Sequence, residues 1–135
     1  MLFTDTIKEN KLFSLCYKGK YVSCRFLTCY YRRNRLPYNR MGITAGKKVG
    51  GAVERNRAKR IIRAAYRLCE KDMPIGYDMV FVARSDTPMK KTCDVEWFMK
   101  KRVVTEINNF AMLREKENGK SGSESKNAVK AKKKV

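Results

Sequence analysis

Lys47-Lys48-Val49-Gly50-Gly51-Ala52-Val53-Glu54-Arg55-Asn56-Arg57-Ala58-Lys59-Arg60-Ile61-Ile62-Arg63-Ala64-Ala65-Tyr66-Arg67 says more about this chain than any other run in it. Residues 55–67 hold no Gly and no Pro, so nothing there interrupts a helix. At about 100° per residue, with Val53 as origin, Leu68, Ile61, Ala65, Ala58, Cys69 and Ile62 fall in a sector from roughly 60° to 180°. Tyr66 borders that sector. Lys59, Arg63, Asn56, Arg67 and Arg60 occupy the other side, with Arg55 and Arg57 on the flanks. A solvated helix face usually pairs its cations with Glu or Asp one turn away. Here only Glu54 precedes the run and only Glu70 follows it. Arg outnumbers Lys on the helix, and its planar fork suits bidentate contact with phosphate. Gly50-Gly51 allows a tight turn before the helix, and free amides at a helix start favour anions. The reading is a contact surface for a nucleic-acid backbone.

The rest of the chain agrees in charge. Its 135 residues make one domain with a modest core, and 32 Lys plus Arg against 13 Asp plus Glu give a net charge of +19. That balance calls for a polyanionic partner: nucleic acid first, an anionic membrane surface second. No apolar run approaches the roughly 20 residues of a membrane span, and residue 1 opens no secretory signal pattern. No membrane partner and no small-molecule substrate are expected. Cys16, Cys24, Cys29, Cys69 and Cys93 are an odd number without a CxxC pair, and histidine is absent. Neither a zinc or disulfide framework nor a self-sufficient catalytic centre is legible, so no catalytic and no metal-ligating residue is assigned. The cysteines suit a reducing cytoplasm.

Outward from the basic helix, residues 8–17 read as a short helix in which Leu12, Phe13, Cys16 and Tyr17 recur at helical spacing. Phe13 and Tyr17, four residues apart, read first as core. Residues 21–31 form one β run, with Val22, Cys24, Phe26, Thr28 and Tyr30 on one face and Tyr21, Ser23, Arg25, Leu27, Cys29 and Tyr31 on the other. Residues 32–39 carry turn chemistry and read as a hairpin loop to an antiparallel strand over residues 40–45. Residues 77–84 are the clearest buried strand, and residues 93–113 a long helix on which Trp97, Val104, Ile107 and Ala111 share a face. Trp97 reads as a core anchor. Residues 1–114 make the domain. Residues 115–135, with seven Lys, three Ser and two Gly, read as a disordered basic tail. The expected fold is α+β: a small two-layer sandwich with helices on a mixed sheet of four or fewer strands.

The lysine pair, the small-residue turn and Arg55-Asn56-Arg57-Ala58-Lys59-Arg60 running into an amphipathic helix resemble the protein subunit of bacterial ribonuclease P. The resemblance extends over roughly residues 7–113, taking in the first helix, the strand through residues 26–30 and the strand over residues 77–84. It implies a protein that binds the catalytic ribonuclease P RNA and assists endonucleolytic removal of the 5′ leader from precursor tRNA. It also implies Mg²⁺ bound mainly by the RNA, chemistry performed by the RNA, and a left-handed βαβ crossover, against the general rule. A leader-binding cleft would be lined by Phe13, Tyr17, Thr28, Tyr30, Arg55, Asn56, Lys59 and Arg63, giving Phe13 and Tyr17 mixed core-and-cleft roles. The spacing from Tyr17 is one residue shorter than the family's, which leaves Tyr31 as the alternative cleft tyrosine. Lys47, Lys48, Arg57, Arg60 and Arg67 would face the catalytic RNA. A structural RNA-binding protein of the ribosomal kind is the alternative reading, with a DNA-binding module behind it, since the basic helix is flanked by strands rather than by a partner helix.

Overall fold

The computed structural model describes residues 4–119. Five strands form one sheet in the order β1-β4-β5-β3-β2: β1 is Thr4–Thr6, β2 Lys20–Cys24, β3 Leu27–Arg33, β4 Asn39–Thr44 and β5 Tyr77–Ala83. Four helices, α1 (Asn10–Tyr17), α2 (Ala52–Cys69), α3 (Thr92–Phe98) and α4 (Val104–Gly119), complete the mixed α+β architecture. The strand apolar on both faces takes the centre, as burial of both faces requires. β5 pairs antiparallel with β3 and parallel with β4, and all but one of its residues are buried. Parallel neighbours need a crossover, and α2 supplies it between β4 and β5.

The sheet has five strands where the sequence predicts four or fewer, and the additional strands have two sources. β1 is three residues of Thr-Asp-Thr, too short and too polar for a strand signal, yet it pairs in parallel with β4 from Thr4↔Asn39 to Thr6↔Met41. The predicted single β run over residues 21–31 is a hairpin, with Cys24 opposite Leu27 across the two-residue turn Arg25-Phe26. Reversal at that turn changes which residues share a face. Tyr21 stands opposite Tyr30 and Val22 opposite Cys29, so Tyr21 shares its face with Tyr30 and not with Tyr31. Residues 32–39 are not a hairpin loop. β5 lies between β3 and β4, and the connection passes over the start of β5, where Asn34 N–H donates to the Gly76 carbonyl at 2.9 Å.

The α2 face turned to the sheet is rotated roughly 50° from the sector expected of its apolar residues. Ala58, Ile62, Ala65, Tyr66 and Cys69 are buried, whereas Leu68 is exposed. Tyr66 decides this. Its ring meets Phe81 edge-on at 5.9 Å and its hydroxyl lies 2.8 Å from Thr4 Oγ1, so a large ring is buried with its polar atom satisfied. The expected long helix is also modified. Met99–Val103 is a π-helical turn between α3 and α4, which inserts one extra residue into the repeat. Buried positions therefore step by eight across it, Val95 to Val103 and Met99 to Ile107. Trp97, seven residues before Val104, is carried out of register and is 59% exposed, so it is no core anchor. α4 continues to Gly119, beyond the predicted domain end at residue 114. Of the predicted disordered tail over residues 115–135, residues 115–119 belong to α4, and residues 120–135 lie outside the described residues.

Candidate nucleic-acid interface

Sheet parity creates two unlike faces. Leu27, Cys29, Tyr31, Met41, Met79 and Phe81 point to the side covered by α2, α3 and α4, in one apolar cluster. Tyr30, Val80 and Val82 point to the other side, which is covered by α1, packed on β3 and β5 through Leu12, Phe13 and Cys16, and by Ile7 of the segment before it. The expected pairing of Phe13 and Tyr17 with the sheet is there. Tyr17 meets Tyr30 edge-to-face at 5.1 Å, and Tyr21 lies 5.6 Å from Tyr30. Tyr17 and Tyr21 are 43% and 63% exposed, so this three-tyrosine cluster is half core and half open platform. Tyr31 is buried on the opposite face, edge-on to Phe110 at 5.7 Å, which leaves Tyr30 as the α1-side tyrosine.

Phe13 reaches further along the sheet. Its ring lies over Gly42, where a Cβ would fall 2.6 Å from Cζ, so only glycine admits the ring there. Phe13, Gly42, Lys59 and Arg63 line one concavity of about 120 Å³ between α1, β4 and α2, with Thr6 and Ile7 on its rim. Lys59 and Arg63 thus lie beside the aromatic of α1, the arrangement the resemblance implies. Arg55 and Asn56 lie one turn nearer the start of α2 and do not line this concavity; Arg55 Nε donates to the Gly51 carbonyl at 3.4 Å. Thr28 is buried, and its hydroxyl accepts a hydrogen bond from Arg84 Nη1 at 3.1 Å. The exposed group at that position is Arg84 itself. With Lys48 and Ser85 it borders a second concavity of about 270 Å³.

The cationic surface is unpaired. Asn56, Arg57, Arg60, Arg63 and Arg67 are exposed on α2, and Lys47 and Lys48 on the turn before it. Among the described residues none of these cations joins an ion pair; the ion pairs present use Arg32, Arg40 and Lys100. Gly50 has φ 139°, a conformation that a side chain would strain, and Gly51 caps α2 without a side-chain hydrogen bond. The first turn of α2 carries one acidic residue, Glu54, whose side chain packs back against Gly50 and Gly51, so the cationic character of this end comes from Lys47, Lys48 and Arg57.

The chemistry of the interior is passive. Burial pushes the Cys16 thiol up to about 11 and that of Cys69 up to about 12, and it raises Cys29 as well. These thiols stay protonated at neutral pH and are not activated nucleophiles. No cluster of three or more His, Cys, Asp or Glu side chains is placed to hold a metal ion among the described residues. No described helix is long and apolar enough to cross a membrane. Two surface residues escaped the sequence reading. Tyr21 was hidden by the unrecognised turn at Arg25-Phe26. Arg84 was legible only as the end of the strand over residues 77–84; Thr28 stands opposite Val82, and only side-chain packing brings Arg84 to its hydroxyl.

Comparison with known proteins gives a consistent picture. Residues 3–116 match the model of the Ribonuclease P family. The ribonuclease P protein component of Clostridium botulinum strain Loch Maree is 47% identical over 94 residues, which is 68% of this chain and 85% of that protein. That of Pelotomaculum thermopropionicum is 40% identical over 97 residues, 71% of this chain and 87% of its own. The structure of the Staphylococcus aureus RNase P protein superposes with a TM-score of 0.64 at 30% identity, covering 76% of this chain and 94% of that one. The Thermotoga maritima RNase P protein gives a TM-score of 0.61 at 27% identity, covering 68% and 88%.

Proposed function

Since the chain belongs to the ribonuclease P protein family, a subunit family of tRNA processing, we propose that it grips the 5′ leader of precursor tRNA between α1, the sheet and α2. Its remaining cations would dock it on the catalytic RNA. The observation that carries this is the meeting of Phe13 with Lys59 and Arg63 in one concavity, beside the Tyr17–Tyr30 pair. Aromatic rings and cations together suit a single strand, because stacking accepts any base and the cations follow the backbone. Arg55 and Asn56 would extend the track toward the start of α2. Lys47, Lys48, Arg57, Arg60 and Arg67 offer charge without rings, which suits the backbone of a folded RNA.

On this reading the protein takes no part in bond making. The RNA carries the endonucleolytic chemistry, and the Mg²⁺ it needs is held mainly by RNA. The protein screens repulsion between two polyanions and adds binding energy from the leader. That contribution is present with precursor and absent with mature tRNA, so it favours capture of substrate over retention of product. Five free cysteines suit the cytoplasm as its place of work.

The test is cleavage of a precursor tRNA by a bacterial ribonuclease P RNA at low Mg²⁺, with and without the protein. Restored site-specific cleavage, lost when Arg55, Lys59 and Arg63 become Ala, is the expected result. Tight RNA binding without restored cleavage would favour the structural RNA-binding alternative.

A further inference from the structure

A third cationic surface lies at the end of the sheet away from the lysine pair. Lys20, Arg32, Arg33 and Arg35 surround a concavity of about 520 Å³, floored by Tyr31 and Phe110. That is several times the volume of the recess beside Lys59 and Arg63. β3 ends here against the start of β5, with Arg33 opposite Tyr77, whereas Lys48 and Arg84 sit at the other end of β5. Seven residues of strand separate the two ends, about 20 Å. One phosphate contact cannot serve both.

The loop that builds this surface is fixed in place by a buried carboxylate. Asp78 is fully buried and accepts from Arg40 Nε at 2.7 Å, Arg40 Nη2 at 2.8 Å, Asn34 Nδ2 at 2.9 Å and Arg32 Nη1 at 3.3 Å. Asn34 Oδ1 accepts from Leu36 N–H at 2.8 Å, and Asn34 Nδ2 also lies 3.2 Å from the Tyr38 carbonyl. Between those anchors Arg35 has φ 60°, the only non-glycine residue in the left-handed region among those described. A left-handed Arg costs about 1 kcal/mol, and such a conformation persists only where neighbours over-determine it. Arg33 lies with its guanidinium 6.0 Å from the Tyr77 ring. Asp78 is already committed to two arginines, and Lys20, Arg33 and Arg35 are exposed with no ion pair among the described residues.

From this arrangement we propose that the concavity holds the phosphate backbone of the folded ribonuclease P RNA, as a contact separate from α2 and from the leader cleft. The proposal rests on the function proposed above. It names a further surface for the same RNA partner. A folded RNA fits better than a single strand because the aromatics here are not a platform: Tyr31 is 3% exposed and its ring is engaged by Phe110. Phe110 is half-buried with its ring engaged by Tyr31 and Tyr77, so the exposed groups here are guanidinium and ammonium groups, which read phosphate positions and not bases.

The experiment measures binding of the full chain to a bacterial ribonuclease P RNA across a salt series, beside the low-Mg²⁺ cleavage assay. Each lost phosphate contact makes the slope of log K against log salt shallower by about 0.7–0.9. Lys20→Ala/Arg33→Ala/Arg35→Ala should therefore flatten the slope by about 2 and weaken binding several-fold per cation at ~0.1 M salt. The ratio of precursor to mature tRNA affinity should stay unchanged. Arg35→Gly is the control for folding. It removes the charge at a position whose backbone glycine adopts freely, so the melting temperature holds while the slope still flattens by a little under 1. An unchanged slope in the triple variant, with wild-type protein restoring cleavage, overturns the contact and leaves the function standing. A collapse of the precursor-to-mature ratio overturns it too, because the concavity would then hold leader. Failure of the wild-type chain to restore cleavage removes both readings together.

Discussion

The two faces of the sheet spend their residues differently. Among the described residues the face under α2, α3 and α4 contributes to a cluster of 22 buried apolar residues, and the face under α1 to a cluster of three, Ile7, Cys16 and Val80. The large cluster is sufficient to hold the fold, since each buried Leu, Phe or Met side chain contributes about 1.5–3 kcal/mol. The small one is not. What the α1 face has in place of a core is Asp78, buried, with Arg32, Arg40 and Asn34 around it, and a set of tyrosines half open to solvent. One side of the sheet is built for stability, and the other is left available for contact.

Breaking the large cluster should have the largest effect. Phe81 is fully buried against Tyr66, and Phe81→Ala is expected to remove about 3–5 kcal/mol, read as a shift of the urea midpoint. A loss below 1 kcal/mol would end the claim that this face carries the stability. Asp78→Ala, on the other face, is expected to remove about 3 kcal/mol, because it strands two partly buried guanidinium groups and frees the loop holding Arg35. Asp78→Asn should recover part of this by keeping the hydrogen bonds to Asn34 and one arginine.

Alkaline pH tests the same contrast through its thiols. Burial holds Cys69, in the large cluster, up to about 12, and Cys16, under α1, up to about 11, from an ordinary 9.0. The folded chain keeps these protons longer than the unfolded chain does. Between about pH 9 and 12 the unfolded state therefore binds fewer protons, and stability falls as pH rises, with no such slope below pH 8. Cys69→Ala and Cys16→Ala should each flatten that fall, and by nearly the same amount, in urea titrations at pH 8 and 10, because both folded values lie above that range. A fall left unchanged by Cys16→Ala alone would mean that the α1 face leaves its thiol open to water.

Much of this was legible in the sequence, and the parts that were not have local causes. Uninterrupted periodicity gave α2, its cationic side and β5 as the central strand, because a long pattern averages over single exceptions. β1 carries no strand signal in three polar residues, and the hairpin over residues 32–39 fails because β5 inserts between β3 and β4. Two further errors came from register. The turn at Arg25-Phe26 has neither Gly nor Pro, so the hairpin read as one strand and Tyr21 was put on the wrong face. The π-helical turn at Met99–Val103 adds one residue to a helix, which no composition signals, and Trp97 was moved from core to surface. Helical spacing gave the cationic side of α2, but the assignment of its residues to a cleft came from resemblance, and of them Lys59 and Arg63 line the concavity beside Phe13. Thr28 was assigned by resemblance, and only the packing shows Arg84 covering its hydroxyl.

The tyrosines of the α1 face should separate contact from stability. Tyr17→Ala exposes Tyr30 but opens little core, so its effect on stability is expected to be at most about 1 kcal/mol. If the leader stacks there, precursor affinity should fall by about 1–3 kcal/mol, with mature tRNA affinity unchanged. Tyr21→Ala is expected to behave in the same way with a smaller loss, since Tyr21 stands at the outer edge of the cluster. Equal losses for precursor and mature tRNA would mean that these rings meet the catalytic RNA or the tRNA body.

Trp97→Ala should do the least, and for that reason it bears most directly on the register argument. A Trp in the core costs about 3–5 kcal/mol to remove. With 59% of its surface exposed beside Cys93, Glu96 and Lys100, Trp97 should cost about 0.5 kcal/mol in urea denaturation, because little apolar area returns to water. Val95→Ala, two residues earlier and fully buried, should cost several times more. This ordering, a valine above a tryptophan, is the opposite of what side-chain size predicts and follows only if the π-helical turn shifts the buried stripe by one residue. Were Trp97→Ala the more damaging of the two, α3 would face the core as an uninterrupted helix does, and the inserted residue at Met99–Val103 would have to be absent in solution.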